Sequence, residues 1–369
     1  MGYPYKIGLL IPAFLRGTGG AEKIAHEVAK IIIKNGHKAT IICNPKLAKH
    51  VTLNLSREIE IIEVNINSDR GIREIKCEFD VIIGFAMSGF FKRILSISEI
   101  WNTPFIIQEC TNPNRMIASI FINQQDGCKT LEDAFWIRQT VFSKASAIRL
   151  TAPAYESTVH PQYHSHTYPF YNSFEPSEPI VFRTLRKNII SVGGMKNSNK
   201  NGMVAAQSFA RFAAGKQGWK FIQYGKNNFK KELRELRNIY PDVRLLDYGI
   251  EQNVDKIYNG AYGLVIPSYE EGLPNVVVEA FTYGIPCIGY SDCEGVNHLI
   301  KDNENGFLID RKNPEAMVIA LNNLADEEVR SRLSRNASKF ARESFRKRDF
   351  EHNWMNVIQS ALRQNSQNL

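Results

Sequence analysis

Residues 263–284 are the stretch that most constrains the fold of this chain. The run at 263–266 is apolar throughout and has the length of a strand, as expected for a parallel strand buried on both faces. A tight turn containing Gly272 and Pro274 follows, and Pro274 stands where a helix can begin because the first helical position tolerates a missing N–H. Apolar residues then continue to Gly284, which ends the helix. The stretch therefore predicts a strand, a Gly/Pro turn and a helix in direct succession.

Two carboxylates flank the start of this predicted helix, Glu271 in the turn and Glu279 farther along. The N–H groups at a helix start attract anions, phosphate above all. A carboxylate in front of them is useful if it points past the phosphate and accepts hydrogen bonds from hydroxyls, and Glu279 can accept from a vicinal diol such as a ribose. This combination is typical of a nucleotide-sugar site. On spacing alone an alternative stays open, in which Glu271 is a solvated loop residue and Glu279 a helix-surface residue near a favourable dipole.

Strand-like and helix-like segments alternate along the whole chain, which favours two doubly wound parallel sheets in an α/β fold. A proline-punctuated segment at 168–179 separates the two series. We therefore predict an N-terminal domain over 1–172 and a C-terminal domain over 173–347. The predicted strands are 7–11, 39–43, 80–84, 104–109, 147–151, 188–192, 221–224, 243–246, 263–266, 287–290 and 306–309.

Charge and composition narrow the possible partners. The chain has 369 residues, a net charge of +8 and no apolar run near the ~20 residues that span a bilayer. Its six cysteines form no C-x-x-C, so we expect buried thiols and no metal site. No nucleic-acid module is recognisable. We expect a cytoplasmic protein with no leader segment, whose basic surface meets anionic lipid or a diphosphate substrate; a generically basic soluble protein fits the charge equally well.

The segment at 90–95 combines aromatic and basic residues. A helix at a membrane surface has such a composition. We interpret the segment instead as a buried helix with charged ends.

The N-terminal half offers two further candidate sites. A loop with Gly17, Gly19 and Gly20 lies between the first strand and the first helix, where backbone can approach a phosphate. It lacks the G-x-G-x-x-G spacing of a dinucleotide site, and a simple tight connection remains the alternative. Polar residues also follow the strand at 104–109, at the edge where open α/β sheets bind ligands. The candidate acceptor-binding residues there are Glu109, Thr111 and Asn112.

Several motifs in order resemble the family 4 retaining glycosyltransferases, which have the GT-B fold. Glu271-Gly272-Leu273-Pro274 with Glu279 resembles the family's E-x7-E motif, and Gly284-Ile285-Pro286 follows it as in the family. Val192-Gly193 with Lys200-Asn201 resembles its donor-phosphate loop, and Asn172-Ser173 its interdomain linker. The resemblance covers essentially the whole chain and is strongest over 188–310. It implies two Rossmann-like domains facing an interdomain cleft, with a C-terminal helix at about 348–369 packed back on the first domain.

The resemblance also implies roles for individual residues. Glu271 would bind donor-sugar hydroxyls, Glu279 the ribose diol, and Lys200 would neutralise the departing diphosphate, so that Glu271 and Lys200 are the catalytic candidates. Gly19 and Gly20 would close on the phosphate. The remaining donor-binding candidates are Gly194, Lys196, Tyr248, Gly249, Ile250, Gly272, Leu273, Pro274, Asn275 and Val276.

Two departures from the family pattern bear on these roles. The family usually has Arg where this chain has Gly194, and a guanidinium fork is not simply replaced, although Lys196 stands two residues on. The family's common histidine of the first domain has no clear match, and Gln108 and Glu109 end what corresponds to that strand. These departures leave the acceptor side and the general base unassigned.

The activity implied is transfer of a sugar, with retention, from a nucleotide diphosphate sugar, expected to be UDP-linked, to a hydroxyl of a surface glycan. Lipopolysaccharide, O-antigen or capsule biosynthesis is the expected setting, with a lipid-diphosphate-linked acceptor at the inner face of the membrane. No Asp-x-Asp is present, and neither a metal nor any other cofactor is expected. The alternatives are a sugar-nucleotide epimerase, a dinucleotide oxidoreductase and a non-catalytic glycan-binding or scaffold protein.

Overall fold

The structure is a computed structural model. It describes residues 3–12, 20–45, 56–76, 78–86, 90–122, 128–175, 186–193, 199–225 and 230–367. The strands are β1 Lys6–Leu10, β2 Lys38–Cys43, β3 Glu60–Glu63, β4 Val81–Ala86, β5 Phe105–Glu109, β6 Ala147–Leu150, β7 Thr167–Pro169, β8 Asn188–Val192, β9 Lys220–Tyr224, β10 Arg244–Gly249, β11 Gly263–Ile266, β12 Cys287–Tyr290 and β13 Gly306–Ile309.

The α-helices lie between and after these strands. They are α1 Gly20–Lys34, α2 Asp69–Glu74, α3 Phe91–Trp101, α4 Pro113–Ile122, α5 Leu131–Lys144, α6 Gly202–Ala213, α7 Lys230–Ile239, α8 Val254–Tyr258, α9 Asn275–Thr282, α10 Glu294–Leu299, α11 Ala316–Ala325, α12 Glu327–Ser344 and α13 Lys347–Gln367. Two 3-10 helices, Pro153–Thr158 and Pro161–His166, connect β6 to β7. Within the described ranges, no helix is both long enough and apolar enough to cross a bilayer.

The chain divides into two compact units, each built on a parallel sheet. The first unit comprises Met1–Asn172 with Arg348–Leu369, and the second Ser173–Lys347. Among the described residues, the strand order of the first sheet is β3-β2-β1-β4-β5-β6-β7, and that of the second is β10-β9-β8-β11-β12-β13. All neighbouring strands in both sheets run parallel. In both sheets the strand order reverses beside the first strand of the unit, and ligands of open α/β sheets bind at the carboxyl ends of the strands near such a reversal.

The core of the first unit lies between its sheet and helices α1 and α13. Ile31 of α1 and Trp354 of α13 pack in one apolar cluster with Leu9 and Ile83 of the sheet. Helix α13 thus supplies a large part of this core although it comes last in the chain.

Sequence periodicity predicted most of these elements within a residue or two. The interpretation of 90–95 as a buried helix is confirmed, because Phe90, Phe91 and Ile94 are buried at the start of α3. The sequence over 51–67 alternates as short strands would; of its described part, Glu60–Glu63 forms β3, and the turn that leads into α2 follows. Helices α2, α4 and α10 were not anticipated; α2 and α10 have six residues each, too few for an apolar spacing to stand out.

Candidate functional site

The carboxyl ends of the second sheet bring the predicted catalytic pair together. Lys200 lies in the loop after β8 and Glu271 in the loop after β11, and the Lys200 ammonium forms an ion pair with Glu271 Oε1. The Lys200 side chain keeps 32% of its exposure and Glu271 keeps 11%, so the pair is partly open to solvent. A cation and a carboxylate therefore stand side by side, as predicted for a nucleotide-sugar site.

Three hydrogen bonds hold the two loops against each other. The Tyr269 N–H donates to Asn199 O at 2.9 Å, the Asn199 amide donates to Glu270 O at 2.7 Å, and the Asn201 amide donates to Pro267 O at 3.1 Å. Because the loops are joined on both sides of the ion pair, the positions of Lys200 and Glu271 are set by backbone contacts as well as by their own attraction.

Helix α9 begins directly after this turn, and Pro274 precedes its first residue as predicted. The N–H groups of a first helical turn point out of the helix end, here toward the turn at 271–274. The dipole of the helix favours an anion at this end. Leu273, Pro274, Asn275 and Val276 all lie in this turn or in the first helical turn, as the phosphate-binding prediction requires.

Glu279 lies on α9 with 8% of its surface exposed, and its Oε2 accepts a hydrogen bond of 2.7 Å from the Tyr258 hydroxyl. The alternative of a solvated surface carboxylate is therefore wrong for Glu279. A carboxylate is retained in such surroundings only with hydrogen-bond or charge partners.

The residues predicted to contact the base lie at the carboxyl end of β10. Tyr248 and Ile250 are 62% and 64% exposed, unusually high values for an aromatic and a β-branched residue. The Tyr248 ring packs at 5.6 Å from that of Tyr224, and Gly249 between the two exposed residues has a φ of 68°. Two apolar side chains therefore face solvent beside a sharp turn.

A small polar pocket lies beneath the ion pair. Lys200, Gly193, Gln223 and Ser268 are among the residues that line it. Ser268 Oγ and Gln223 Oε1 are buried there and have no hydrogen-bond partner among the described residues. These two residues were missed by sequence reasoning, because a serine and a glutamine at strand ends carry no distinctive spacing.

Gly295, in the first turn of α10, lies close to the backbone of the turn that carries Glu271. A Cβ on Gly295 would lie 2.6 Å from Glu271 O and 2.7 Å from Gly272 O. Cys293, just before this helix, is buried, and burial together with the charge of Glu271 raises the pKa of its thiol to about 12. Gly295 was also missed, because a single glycine in the first turn of a short helix carries no distinctive spacing.

The acceptor candidates of the first unit have local structural partners. Both oxygens of Glu109 accept from the Arg138 guanidinium at 2.7 Å, and the Glu109 side chain is 1% exposed. Asn112 Oδ1 accepts from the N–H groups of Asn114 and Arg115 at the start of α4. Thr111 Oγ1 is buried with no hydrogen-bond partner among the described residues. The acceptor role of these residues stays a prediction, and for Glu109 the geometry favours a buried structural ion pair.

The other residues predicted for the donor site lie in the first unit or outside the described residues. Gly20 is exposed at the first position of α1 in the first unit. Gly19, Gly194 and Lys196 lie outside the described residues. Within the described ranges, no group of three or more His, Cys, Asp or Glu side chains is arranged to hold a metal ion.

The chain is similar in sequence to proteins described as glycosyltransferases. Residues 186–327 match the family model described as "Glycosyl transferases group 1". The chain is 28% identical over 176 residues to the GalNAc-alpha-(1->4)-GalNAc-alpha-(1->3)-diNAcBac-PP-undecaprenol alpha-1,4-N-acetyl-D-galactosaminyltransferase of Campylobacter jejuni, covering 47% of this chain and 48% of the relative. It is 34% identical over 93 residues to the UDP-Gal:alpha-D-GlcNAc-diphosphoundecaprenol alpha-1,3-galactosyltransferase of Escherichia coli, covering 25% of this chain and 24% of the relative. The matched segments thus span half or less of these curated relatives.

Similarity of structure extends over the whole chain. The crystal structure of Anabaena HepE in complex with UDP-glucose superposes with a TM-score of 0.70 at 15% identity, covering 98% of this chain and all of that one. The two parallel-sheet α/β units therefore form a GT-B fold, which confirms the fold predicted from the resemblance.

Proposed function

We propose that this protein is a glycosyltransferase that moves a sugar from a nucleotide diphosphate sugar to a hydroxyl of a glycan. The observation that carries the proposal is the Lys200–Glu271 ion pair at the start of α9, with the buried Glu279 on the same helix. All three residues lie within the segment that matches the glycosyltransferase family model.

The geometry suggests how the donor would be held and activated. Lys200 and the start of α9 would bind the diphosphate, and fixed charges and dipoles of this kind stabilise a departing anion without reorganising. Glu271 would accept from hydroxyls of the sugar and Glu279 from the ribose, while Tyr248 and Ile250 would flank the base. On donor binding, the phosphate and the sugar hydroxyl would take over the contacts that Lys200 and Glu271 now make with each other.

UDP is the nucleotide that we propose for the donor. The name of the Escherichia coli relative specifies UDP-Gal, and the Anabaena structure contains UDP-glucose. The similarity to the Anabaena structure covers 98% of this chain and so includes the second unit, which carries the candidate donor site.

A glycan on a lipid diphosphate is the acceptor that we propose. The names of both curated relatives specify an undecaprenol-linked diphosphate glycan. The net charge of +8 would draw the protein to an anionic membrane, at its cytoplasmic face. Sedimentation with vesicles containing phosphatidylglycerol tests this part, and an enzyme that ignores both the vesicles and lipid-linked acceptors would contradict it.

We further propose that transfer retains the anomeric configuration and requires no metal ion. The leaving phosphate would take the proton of the acceptor hydroxyl on the same face of the sugar, so no protein nucleophile is needed. The configuration of the first-formed product, read by NMR, tests retention, and activity after treatment with EDTA tests metal independence.

The central experiment is nucleotide binding followed by product analysis. UDP, GDP, ADP and their common sugars are compared by thermal shift on the wild type, Glu279→Ala and the exposed control Glu343→Ala. A ligand of the folded state at ~100 times its Kd stabilises by about 2.7 kcal/mol. We expect a shift with UDP compounds that is lost in Glu279→Ala and kept in the control. Glycan binding without any nucleotide binding would favour the non-catalytic alternative, and an altered sugar nucleotide without transfer would favour the epimerase.

A further inference from the structure

Tyr258 is a buried tyrosine beside the candidate donor site whose hydroxyl the proposed chemistry leaves unexplained. It ends helix α8, its side chain is fully buried, and its hydroxyl donates to Glu279 Oε2 at 2.7 Å. Burial raises the pKa of Tyr258 well above its ordinary value, and the neighbouring Glu279 carboxylate adds to this. The phenol therefore stays protonated at neutral pH and remains a donor to Glu279.

A second tyrosine fixes the ring of Tyr258. Tyr283, just after α9, stacks on Tyr258 with ring centroids 5.7 Å apart and an angle of 21° between the planes. The Tyr283 hydroxyl in turn donates to Asp255 Oδ1, on the same short helix as Tyr258. The four side chains form a continuous chain of contacts from Asp255 through both rings to Glu279, which restricts the rotation of the Tyr258 phenol.

A glutamate has three rotatable side-chain bonds, so a carboxylate that binds hydroxyls loses conformational freedom when it engages them. Fixing the carboxylate before the ligand arrives removes part of that cost from the binding free energy. A fixed donor on one carboxylate oxygen also sets the direction in which the other oxygen presents its lone pairs. The Tyr258 hydroxyl is such a fixed donor, and it donates to Oε2 of Glu279.

We propose that Tyr258 is a positioning residue that orients the Glu279 carboxylate toward the ribose diol of the donor nucleotide. The inference rests on the proposed function, because it takes Glu279 as the ribose-binding residue. Tyr258 would strengthen the binding only of ligands that carry the 2′- and 3′-hydroxyls, because only these ligands can bond to the oriented carboxylate.

The test compares UDP with 2′,3′-dideoxy-UDP by calorimetry on the wild type and Tyr258→Phe. We expect the wild type to prefer UDP, and Tyr258→Phe to weaken UDP about tenfold, as for loss of a hydrogen bond to a charged group. Binding of dideoxy-UDP should not change. A merely structural role would weaken both ligands alike.

Tyr262→Phe is a matched control in the same unit. Tyr262 is also buried, and its hydroxyl donates to Glu327 Oε2 at 3.2 Å, a carboxylate of α12 that is not among the candidate donor-site residues. This control should lose stability comparably and keep the wild-type preference for UDP. In a Glu279→Ala background, Tyr258→Phe should cause no further change in the preference.

The outcomes separate the inference from the function on which it rests. A wild type that binds neither nucleotide overturns the proposed function and the inference with it. A wild type that prefers UDP, with the same preference in Tyr258→Phe, overturns the inference alone. If Tyr258→Phe does not fold, Tyr283→Phe keeps the stacked rings and removes the bond to Asp255; we then expect a smaller loss of preference, and an unchanged preference overturns the inference.

Discussion

At the scale of single residues, Lys200 and Glu271 show how one ion pair can serve two functions. In the structure each partner neutralises the other where both are partly exposed. In the proposed reaction the same two groups bind opposite parts of the donor, the cation its diphosphate and the carboxylate its sugar. The pair thus fixes the positions of both groups relative to each other.

Lys200→Ala removes the cation expected to neutralise the leaving diphosphate. Loss of one such electrostatic contact lowers kcat by about 100- to 1,000-fold. Steady-state transfer from the UDP-sugar identified by thermal shift gives the measurement, with Lys339→Ala on the exposed side of α12 as the control. An unchanged kcat in Lys200→Ala would mean that the diphosphate is stabilised elsewhere.

Glu271→Gln keeps the size of the side chain and removes its charge. A neutral amide accepts a weaker hydrogen bond from a sugar hydroxyl than a carboxylate does, so we expect a loss of about tenfold in kcat/KM for the sugar nucleotide. Affinity for UDP alone, which lacks the sugar, should change little. If UDP affinity falls as far as kcat/KM, Glu271 does not read the sugar.

The lowered pKa of His26 predicts that the stability of the protein depends on pH. His26 is buried on α1, and burial is the main cause that lowers its pKa below the ordinary value of 6.5. The unfolded chain therefore binds a proton near pH 6.5, and the folded protein binds it only at lower pH. The contribution to stability is complete above pH 6.5 and decreases as the pH falls below it.

We expect the free energy of unfolding to fall between pH 7.5 and 5.5, with part of that loss due to His26. His26→Gln should reduce this loss, and His352→Gln at an exposed position of α13 should not. Urea unfolding at several pH values measures the effect. Parallel pH profiles for the wild type and His26→Gln would show that His26 has no part in it.

At the scale of elements, the candidate donor site is built from loops at the carboxyl ends of adjacent strands. The loops after β8 and β11 are far apart in sequence, because α6 to β11 lie between them. Strands β8 and β11 are nevertheless neighbours in the sheet. Hydrogen bonds between the loops join Asn199 to the backbone of Tyr269 and Glu270. Strand order therefore decides which loops share a site.

Gly295→Ala tests the packing of helix α10 against the turn that carries Glu271. The added methyl group would lie within 2.7 Å of two backbone carbonyl oxygens, which cannot rotate away. Overpacking of this kind costs about 1–3 kcal/mol, and displacement of the turn should also weaken UDP binding. Gly8→Ala is the control, because its new contacts are side-chain atoms at 3.2–3.3 Å in the first unit. Normal UDP affinity in Gly295→Ala would show that the turn tolerates displacement.

At the scale of the whole molecule, the last helix belongs to the first unit. Helix α13 places Trp354, which is fully buried, edge-on to the rings of Phe170 and Phe350. The Arg149 guanidinium lies over the Phe170 ring at 4.4 Å and donates to Asn172 Oδ1 at 2.8 Å, so the end of the first unit's main segment joins the same cluster. The first unit therefore needs both of its chain segments to complete its core.

Trp354→Ala should cost about 3–5 kcal/mol, as for other large aromatic residues removed from a core. Hydrogen exchange should show the loss of protection in the strands of the first unit. Trp136→Ala is the control in that unit, because this tryptophan is 47% exposed on α5. Loss of protection confined to residues 173–347 would contradict the packing of α13 on the first unit.

Local sequence patterns predicted much of the fold and only part of the site. Strands 188–192, 263–266, 287–290 and 306–309 were located to the residue, because apolar runs bounded by turn residues are complete within a few positions. Spacing predicted Glu271 and Glu279 as candidates, the family resemblance predicted Lys200, and the structure brings Lys200 and Glu271 together. Glu109 shows the limit of such reasoning, since the same polar strand end suits an acceptor pocket or a buried ion pair with Arg138.

The sequence by itself determined the two series of parallel strands and helices, the strand-turn-helix that carries Glu271 and Glu279, and the resemblance to a GT-B glycosyltransferase. Each of these depends on residues close together in the chain. Only the tertiary structure decided that Glu271 pairs with Lys200, that Tyr258 donates to Glu279, and that Gly295 must lack a side chain. These contacts join different loops and helices, and which of them meet depends on strand order and helix packing, which local spacing does not encode.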